Sequence, residues 1–206
     1  MNALTVLVLM LLLAGGVAYA DRVRASAILP PGTPGGAALS APTAVTAPHS
    51  DHAGTLAAQC AVTSYAYDIP PDLLLAIAIT ESGRRGSPWP WTLDVDGLPE
   101  YFRNRRATVQ AAEQAVRAGH TRVDIGPMQI DWRYHGAMFP SLAAITHPFM
   151  NIAAAGRILA RLHTRTGNWW TAVADYHSAT PTLGRPYMWH VYRVYEGLRR
   201  ASGGPS

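Results

Sequence analysis

A run of eight residues without a charged side chain, Leu73 to Thr80, lies in the first half of the chain. Such a run has almost no face for water, so we expect a helix buried in the core, spanning Ile69 to Gly83. Asp72 suits the positive end of the helix dipole, and Gly83 is predicted to end the helix in a left-handed conformation. Glu81 follows the run directly, so this core helix should carry a carboxyl group at its end.

Helical spacing places Glu81 on the same face as Leu74, Ile77 and Ala78. Burial and the negative end of the helix dipole both disfavour the charged form of a carboxyl group there. The sequence therefore predicts a carboxyl group that stays protonated near neutral pH and can donate its proton. The alternative is a structural glutamate at the end of a core helix that forms an ordinary ion pair with Arg85, four residues further along the chain.

The composition is that of a globular protein with accessory segments. Hydrophobic residues make up 49% and charged residues 15% of the 206 residues, which suits one folded domain. The formal net charge of +4, with Arg as the only strongly basic residue type, favours association with an anionic polymer or surface. We find no nucleic-acid motif and expect no nucleic acid partner. Cys60 is the only cysteine, so no internal disulfide can form, and we expect a small buried residue there.

The first twenty residues have the features of a secretory signal peptide. Residues 1–20 carry no charged side chain and end in the small-x-small pattern Ala18-Tyr19-Ala20. We expect export to the periplasm; the alternative is an uncleaved inner-membrane anchor, since no Lys or Arg precedes the apolar core. Residues 21–52 are predicted to be a flexible Ala/Pro/Gly-rich linker, 53–200 the folded domain and 201–206 a disordered tail.

The folded part is predicted to be α+β and mainly α, with a small β-hairpin lobe beside a cleft. Asp96-Gly97 between two β-prone runs predicts the hairpin, shortly after the Glu81 helix. A strand over Arg122 to Ile130 should break at Gly126-Pro127, where the chain can approach another backbone closely. The other predicted helices are Ala53 to Tyr67, Ala107 to Ala118, Pro148 to Thr166, Asn168 to His177 and Pro186 to Arg199.

Four short motifs occur in order along the chain: Glu81-Ser82-Gly83, Gly126-Pro127-Met128-Gln129, Ala174-Asp175-Tyr176-His177-Ser178 and Tyr187-Met188-x-x-Val191. Together they resemble the motifs of the lytic transglycosylases, whose usual forms are E-S-G, G-L-M-Q, A-Y-N-A/S-G and Y-V-x-x-V. The Trp89-Pro-Trp-Thr-Leu insertion and the Tyr-His-Ser ending resemble the branch found with conjugation and secretion machines. The resemblance covers about Gln59 to Leu198. It implies a lysozyme-like fold and an enzyme that cuts peptidoglycan.

The resemblance also implies a role for each matching residue. Glu81 would be the catalytic acid and then the base, and Tyr176 and Tyr187 would position the substrate or Glu81. The implied substrate-binding residues are Ser82, Gly126, Met128, Gln129, Tyr176, His177 and Tyr187. The two tyrosines and Gln129 also have a structural alternative, as packed side chains whose polar atoms satisfy groups of the fold.

The chain departs from the family pattern at several positions. Pro127 replaces the usual Leu, which we expect to change only packing. Asp175 and His177 flank Tyr176 where Ala and Asn are usual, so a hydrogen bond to the sugar is expected from His177. The family's binding Ser has no certain counterpart here, and Ser87 is one candidate.

The resemblance implies that a single carboxyl group, Glu81, donates a proton and then lets the 6-hydroxyl of the sugar attack, giving a 1,6-anhydro product without water. A lysozyme-type hydrolase is the first alternative, and it needs a second carboxylate. The candidates are Asp94, Asp96, Asp124, Asp131 and Asp175. A non-catalytic protein that binds the wall within an envelope-spanning machine is the second alternative. The expected partners are glycan strands and a conjugation or secretion apparatus, with no cofactor and no metal site.

Overall fold

The computed structural model describes residues 49–203. The predicted signal peptide (1–20), the predicted linker up to residue 48 and the last three residues of the predicted tail lie outside the described residues. Among the described helices, none has both the length and the hydropathy that a bilayer-spanning segment requires.

The described residues are mainly helical, with two small antiparallel sheets, as the sequence predicts for an α+β protein. The helices are α1 (His49–Ala66), α2 (Leu73–Ser82), α3 (Arg105–Arg117), α4 (Trp132–His135), α5 (Leu142–Ile145), α6 (Pro148–Thr166), α7 (Trp169–His177) and α8 (Pro181–Ala201), with a 3₁₀ turn at Gly136–Met138. The first sheet pairs β1 (Gly83–Arg84) with β2 (Ser87–Pro88). The second sheet has the strand order β4-β3-β5-β6 and is formed by β3 (Thr92–Val95), β4 (Leu98–Tyr101), β5 (Val123–Ile125) and β6 (Ile130–Asp131).

The central helix is α2, which packs against α1, α8 and the β1–β2 hairpin. Leu74, Ile77 and Ala78 on its Glu81 face have no exposed surface. Full burial of one such Leu or Ile side chain contributes about 1.5–3 kcal/mol to folding. The prediction of a core helix is therefore confirmed, but the helix begins at Leu73 and not at the predicted Ile69, because Pro71 and Asp72 form a turn before it. The carboxyl group at its end is held by a well-packed element.

The predicted left-handed stop of α2 at Gly83 is wrong. Gly83 has a φ of −59° and a ψ of 126°, which any residue can adopt. A Cβ at this position would lie 2.1 Å from the backbone oxygen of Ile79. Glycine is therefore needed because there is no room for a side chain, and the chain leaves α2 directly into β1.

The β lobe begins with the predicted hairpin turn. Asp96 and Gly97 have φ values of 55° and 87°, and the pairing runs from Thr92 with Tyr101 to Val95 with Leu98. Positive φ at both central residues matches the twist of two antiparallel strands. The hairpin prediction is confirmed, and the lobe follows the Glu81 helix as expected.

The predicted break at Gly126-Pro127 is also confirmed, but the close approach is to a side chain. Gly126 has a φ of 82°, and a Cβ there would lie 2.7 Å from the side chain of Asn151 on α6. Asn151 accepts a hydrogen bond from the backbone N–H of Met128 and donates to the carbonyls of Ile125 and Ile145. This buried amide attaches the β5–β6 loop to α6.

Three helices begin earlier than the sequence predicts. The first starts at His49, so the last residues of the predicted linker are helical. Helix α3 starts at Arg105, where the Asn104 side chain caps it by accepting from the N–H of Ala107. The last helix starts at Pro181, with Pro186 inside it. Pro181 suits the first helical position, and the missing N–H of Pro186 removes one hydrogen bond from a long helix.

Candidate active site

Glu81 lies in a cavity of about 550 Å³ between the end of α2, the four-stranded sheet and the end of α7. The sequence-predicted residues Gln129, Tyr176 and His177 line this cavity with it. Three aspartates from the sheet, Asp94, Asp124 and Asp131, face the same space. The structure therefore brings together residues that are widely separated in the sequence.

The Glu81 carboxyl group is held by one strong hydrogen bond. The Tyr187 hydroxyl donates to Glu81 Oε1 over 2.6 Å, from the first turns of α8. Within residues 49–203, Glu81 forms no ion pair, and Arg85 points to an exposed position instead. The predicted alternative of a structural Glu81–Arg85 pair is therefore wrong. With Oε1 occupied by Tyr187, Oε2 is left to carry the transferable proton.

Burial raises the pKa of Glu81 from its ordinary value of 4.5 to about 7. The hydrogen bond from Tyr187 opposes this rise, and the charge of Asp124 adds to it. The Tyr187 hydroxyl in turn has its pKa raised well above the usual value by burial and by Glu81, so it stays a donor. Near neutral pH, protonated and ionised Glu81 are both well populated, as a group that gives and then takes a proton requires.

Two other residues of the cavity wall are fixed by hydrogen bonds within the fold. The Tyr176 hydroxyl donates to the carbonyl of Met128 over 2.9 Å, and Gln129 donates its side-chain N–H to the carbonyl of Gly126. Gln129 has a positive φ of 43°, which is unusual for a residue with a side chain. His177 stacks on the Tyr187 ring with the centroids 4.6 Å apart. Tyr176 and Gln129 thus fit the structural alternative, because each satisfies a backbone group; both also line the cavity, and their binding of substrate stays a prediction.

Three residues that the resemblance implied as substrate-binding lie behind the cavity wall. Ser82 has no exposed surface, and its hydroxyl shares its one proton between the carbonyls of Ala78 and Pro127 and accepts from the N–H of Trp89. The Met128 side chain is fully buried in the core, and Gly126 is buried against α6. These residues shape the loop that presents Gln129, and their side chains do not reach the cavity.

The three aspartates form one row across the sheet, because Asp94 is paired with Asp124 and Asp124 with Asp131. Like charges directly opposite each other are unfavourable. Burial, followed by the charges of Asp131 and Asp94, raises the pKa of Asp124 to about 6, and Arg122 opposes this rise. Asp124 is therefore mostly ionised at neutral pH, where its charge favours the protonated form of Glu81.

The other predicted candidates for a second carboxylate lie elsewhere. Asp96 is in the hairpin turn, with Oδ2 2.6 Å from Nδ1 of His120, and Asp175 accepts from Arg165 over 2.7 Å. Neither lines the cavity. Glu113 on α3 makes an exposed pair with its neighbour on the next turn. Among the described acidic residues, only the sheet aspartates share a cavity with Glu81.

Sequence reasoning missed several cavity residues, among them Tyr101, Arg122, Tyr134 and His135. Two of them could have been predicted from strand alternation. It places Arg122 on the same face of the sheet as Asp124, and Tyr101 on the same face as Pro99. Tyr134 and His135 come from the short helix after β6, whose position depends on the whole lobe. Ser87 lines a different, smaller cavity with the two arginines that follow α2.

Cys60 is buried as predicted, and burial raises the pKa of its thiol to about 12, so it is not a reactive group. Within the part of the chain that the structure describes, no three His, Cys, Asp or Glu side chains come together as metal ligands.

Comparison with known proteins finds no family model that matches this chain and no curated protein that is similar to it.

Proposed function

We propose that this chain is a lytic transglycosylase with a lysozyme-like fold, which cleaves the β-1,4 bond between N-acetylmuramic acid and N-acetylglucosamine in peptidoglycan. The observation that carries the proposal is the Glu81 carboxyl group. It has a pKa of about 7, a single strong hydrogen bond from Tyr187 and a place in a cavity large enough for sugar rings. The four motifs in family order support the same assignment.

The proposed reaction uses Glu81 twice. Protonated Oε2 gives its proton to the leaving glycosidic oxygen while the bond from that oxygen to the anomeric carbon breaks, leaving an oxocarbenium-like centre. The carboxylate then takes the proton of the 6-hydroxyl of the same sugar, whose oxygen bonds to the anomeric carbon. The products are a 1,6-anhydro end and a free 4-hydroxyl, and Glu81 is protonated again.

The surroundings of Glu81 fit both steps. The sheet aspartates that face the cavity favour a positive centre in it, and the charge of Asp124 raises the fraction of Glu81 that carries a proton. Gln129, Tyr176 and His177 supply polar groups on a wall that the fold already holds in place. In this proposal the leader directs export to the periplasm, where the enzyme opens the wall locally for a conjugation or secretion apparatus.

A lysozyme-type hydrolase is the second candidate, and one observation favours it. Asp124 shares the cavity with Glu81, and its charge acts on Glu81. In a hydrolase this carboxylate would act on the sugar as nucleophile or stabiliser, and water would complete the reaction. The two candidates differ in their products: anhydro ends for the transglycosylase and reducing ends for the hydrolase.

The test is mass spectrometry of purified peptidoglycan digested by the full chain, by Glu81→Gln and by Glu113→Gln. The Glu113 variant is a matched control, because it removes a carboxylate on the exposed face of α3. We expect anhydro-muropeptides from the wild type and the control, and none from Glu81→Gln. Reducing ends would replace the proposal by the hydrolase. Release by no protein, with binding to the wall retained, would leave the non-catalytic alternative.

A further inference from the structure

A second, basic cavity lies beside the active site. It has a volume of about 200 Å³ and is lined by His52, Arg84, Arg85, Ser87 and Trp89, among others. Arg84 and Arg85 belong to the β1–β2 hairpin, which leaves α2 immediately after Glu81. Within residues 49–203, neither arginine forms an ion pair with a carboxylate. Two unpaired guanidinium groups on a concave surface attract an anion.

Arg84 is already held in position. Its guanidinium carbon lies 5.5 Å from the ring centroid of Trp89 and 5.5 Å from that of Tyr101. The Trp89 ring is fixed from behind, because its N–H donates to the carbonyl of Phe102. Stacking uses the flat face of a guanidinium group and leaves its N–H edge for a forked contact with a carboxylate. Little side-chain freedom would be lost when an anion binds.

Tyr101 connects the two cavities. Its ring lies 5.5 Å from the guanidinium carbon of Arg84, and it also lines the cavity of Glu81. An anion in the basic cavity would therefore belong to a molecule that also reaches the active site. In peptidoglycan, the N-acetylmuramic acid whose anomeric carbon is released carries a peptide. The free carboxylates of this peptide are such anions.

We propose that the cavity of Arg84 and Arg85 binds a carboxylate of this peptide, so that the protein prefers peptide-bearing glycan strands to bare ones. The inference rests on the proposed function, since it takes its ligand from the same substrate. The row of aspartates in the neighbouring cavity repels a carboxylate, so the peptide is directed to the basic side.

The experiment measures binding by the full chain carrying Glu81→Gln, which keeps the ligand intact. The probes are glycan fragments with their peptides and the same fragments stripped of peptide by an amidase, with the lactyl carboxylate that this hydrolysis leaves on the sugar converted to an amide. Arg85→Gln is the test variant, because Arg85 is exposed. The cation–π contact with Trp89 comes from Arg84 and is left unchanged by this substitution. Arg161→Gln is the matched control, because Arg161 is exposed on α6 and lines neither cavity.

We expect Arg85→Gln to weaken binding of the peptide-bearing fragments by about fivefold, as for an exposed ion pair, and of the bare fragments by less than about twofold. The preference should shrink as salt is raised and should vanish for fragments whose carboxylates are amidated. Equal loss for both fragments, an unchanged preference, or the same loss in Arg161→Gln would overturn the inference. Failure of the wild type to release products from the wall would reject the proposed activity, while an Arg85-dependent preference would still support the peptide site.

Discussion

Glu81→Gln removes a charge that the fold holds at a cost in stability. The substitution keeps the size of the side chain, and the Gln carbonyl can still accept the hydrogen bond from the Tyr187 hydroxyl. The variant should therefore fold like the wild type. Its stability should depend less on pH, because one buried titratable group is gone.

The magnitude follows from the rise of the Glu81 pKa from 4.5 to about 7. Each pKa unit corresponds to about 1.4 kcal/mol, so ionised Glu81 lowers the free energy of unfolding by about 3 kcal/mol. Below pH 4.5 the group is protonated in both states and the cost is absent. Between 4.5 and 7 the unfolded chain ionises first, so stability falls as pH rises. Above about pH 7 the full cost is present.

The assay is urea unfolding of the wild type, Glu81→Gln and the control Glu113→Gln at about pH 4 and about pH 8. We expect Glu81→Gln to match the wild type at the acidic pH and to exceed its free energy of unfolding by about 3 kcal/mol at the alkaline pH. The control should stay within about 0.5 kcal/mol of the wild type at both. A difference that is the same at both pH values, or a less stable variant at the alkaline pH, would refute the reasoning.

The remaining predictions concern the same carboxyl group and the turn that follows it. Tyr187→Phe removes a bond that favours ionised Glu81, so the alkaline limb of the pH–activity profile should move up by about one pH unit. Asp124→Asn removes a charge that opposes ionisation of Glu81, so the alkaline limb of the pH–activity profile should move to lower pH. Movement in the same direction as for Tyr187→Phe would contradict the assigned charges. Loss of all cleavage would favour the hydrolase. Gly83→Ala should lower the free energy of unfolding by about 3 kcal/mol because its Cβ meets backbone, and Gly86→Ala by only about 1 kcal/mol because it is strained but unobstructed. Equal costs for the two glycines in urea unfolding would show that the crowding at Gly83 is relieved by movement.

The elements that were predicted well carry their signals locally. Helix α6 has the predicted bounds, Pro148 to Thr166, because a proline suits its first position and Gly167 ends it with a φ of 67°. The hairpin turn at Asp96-Gly97 is likewise determined by two adjacent residues, both with positive φ. The apolar setting of Glu81 could be predicted because helical spacing alone placed it among buried side chains.

The parts that were not predicted depend on contacts between distant residues. The resemblance named Tyr187 as a residue that positions the substrate or Glu81, but no local pattern shows that its hydroxyl reaches Glu81 across 106 residues. Ser82 was predicted to bind substrate because of its motif. Its hydroxyl instead donates a hydrogen bond inside the fold to the carbonyl of Pro127, 45 residues away. Gly83 illustrates the same limit, because the sequence shows that a glycine is present but not whether conformation or crowding requires it.

The hydrogen bond between Tyr187 and Glu81 also determines when, during synthesis of the chain, the site can acquire its proton donor. A chain is made from its N-terminus, so α2 exists long before α8, and during that interval the carboxyl group at the end of α2 faces water. An incomplete chain therefore carries an ordinary, ionised glutamate that has no proton to give at neutral pH. Docking of the last helix against α2 supplies the hydrogen-bond donor, and burial in the completed fold raises the pKa of the group. The ability to donate a proton is thus acquired at the final stage of folding, and fragments that lack the C-terminal helix should be inert.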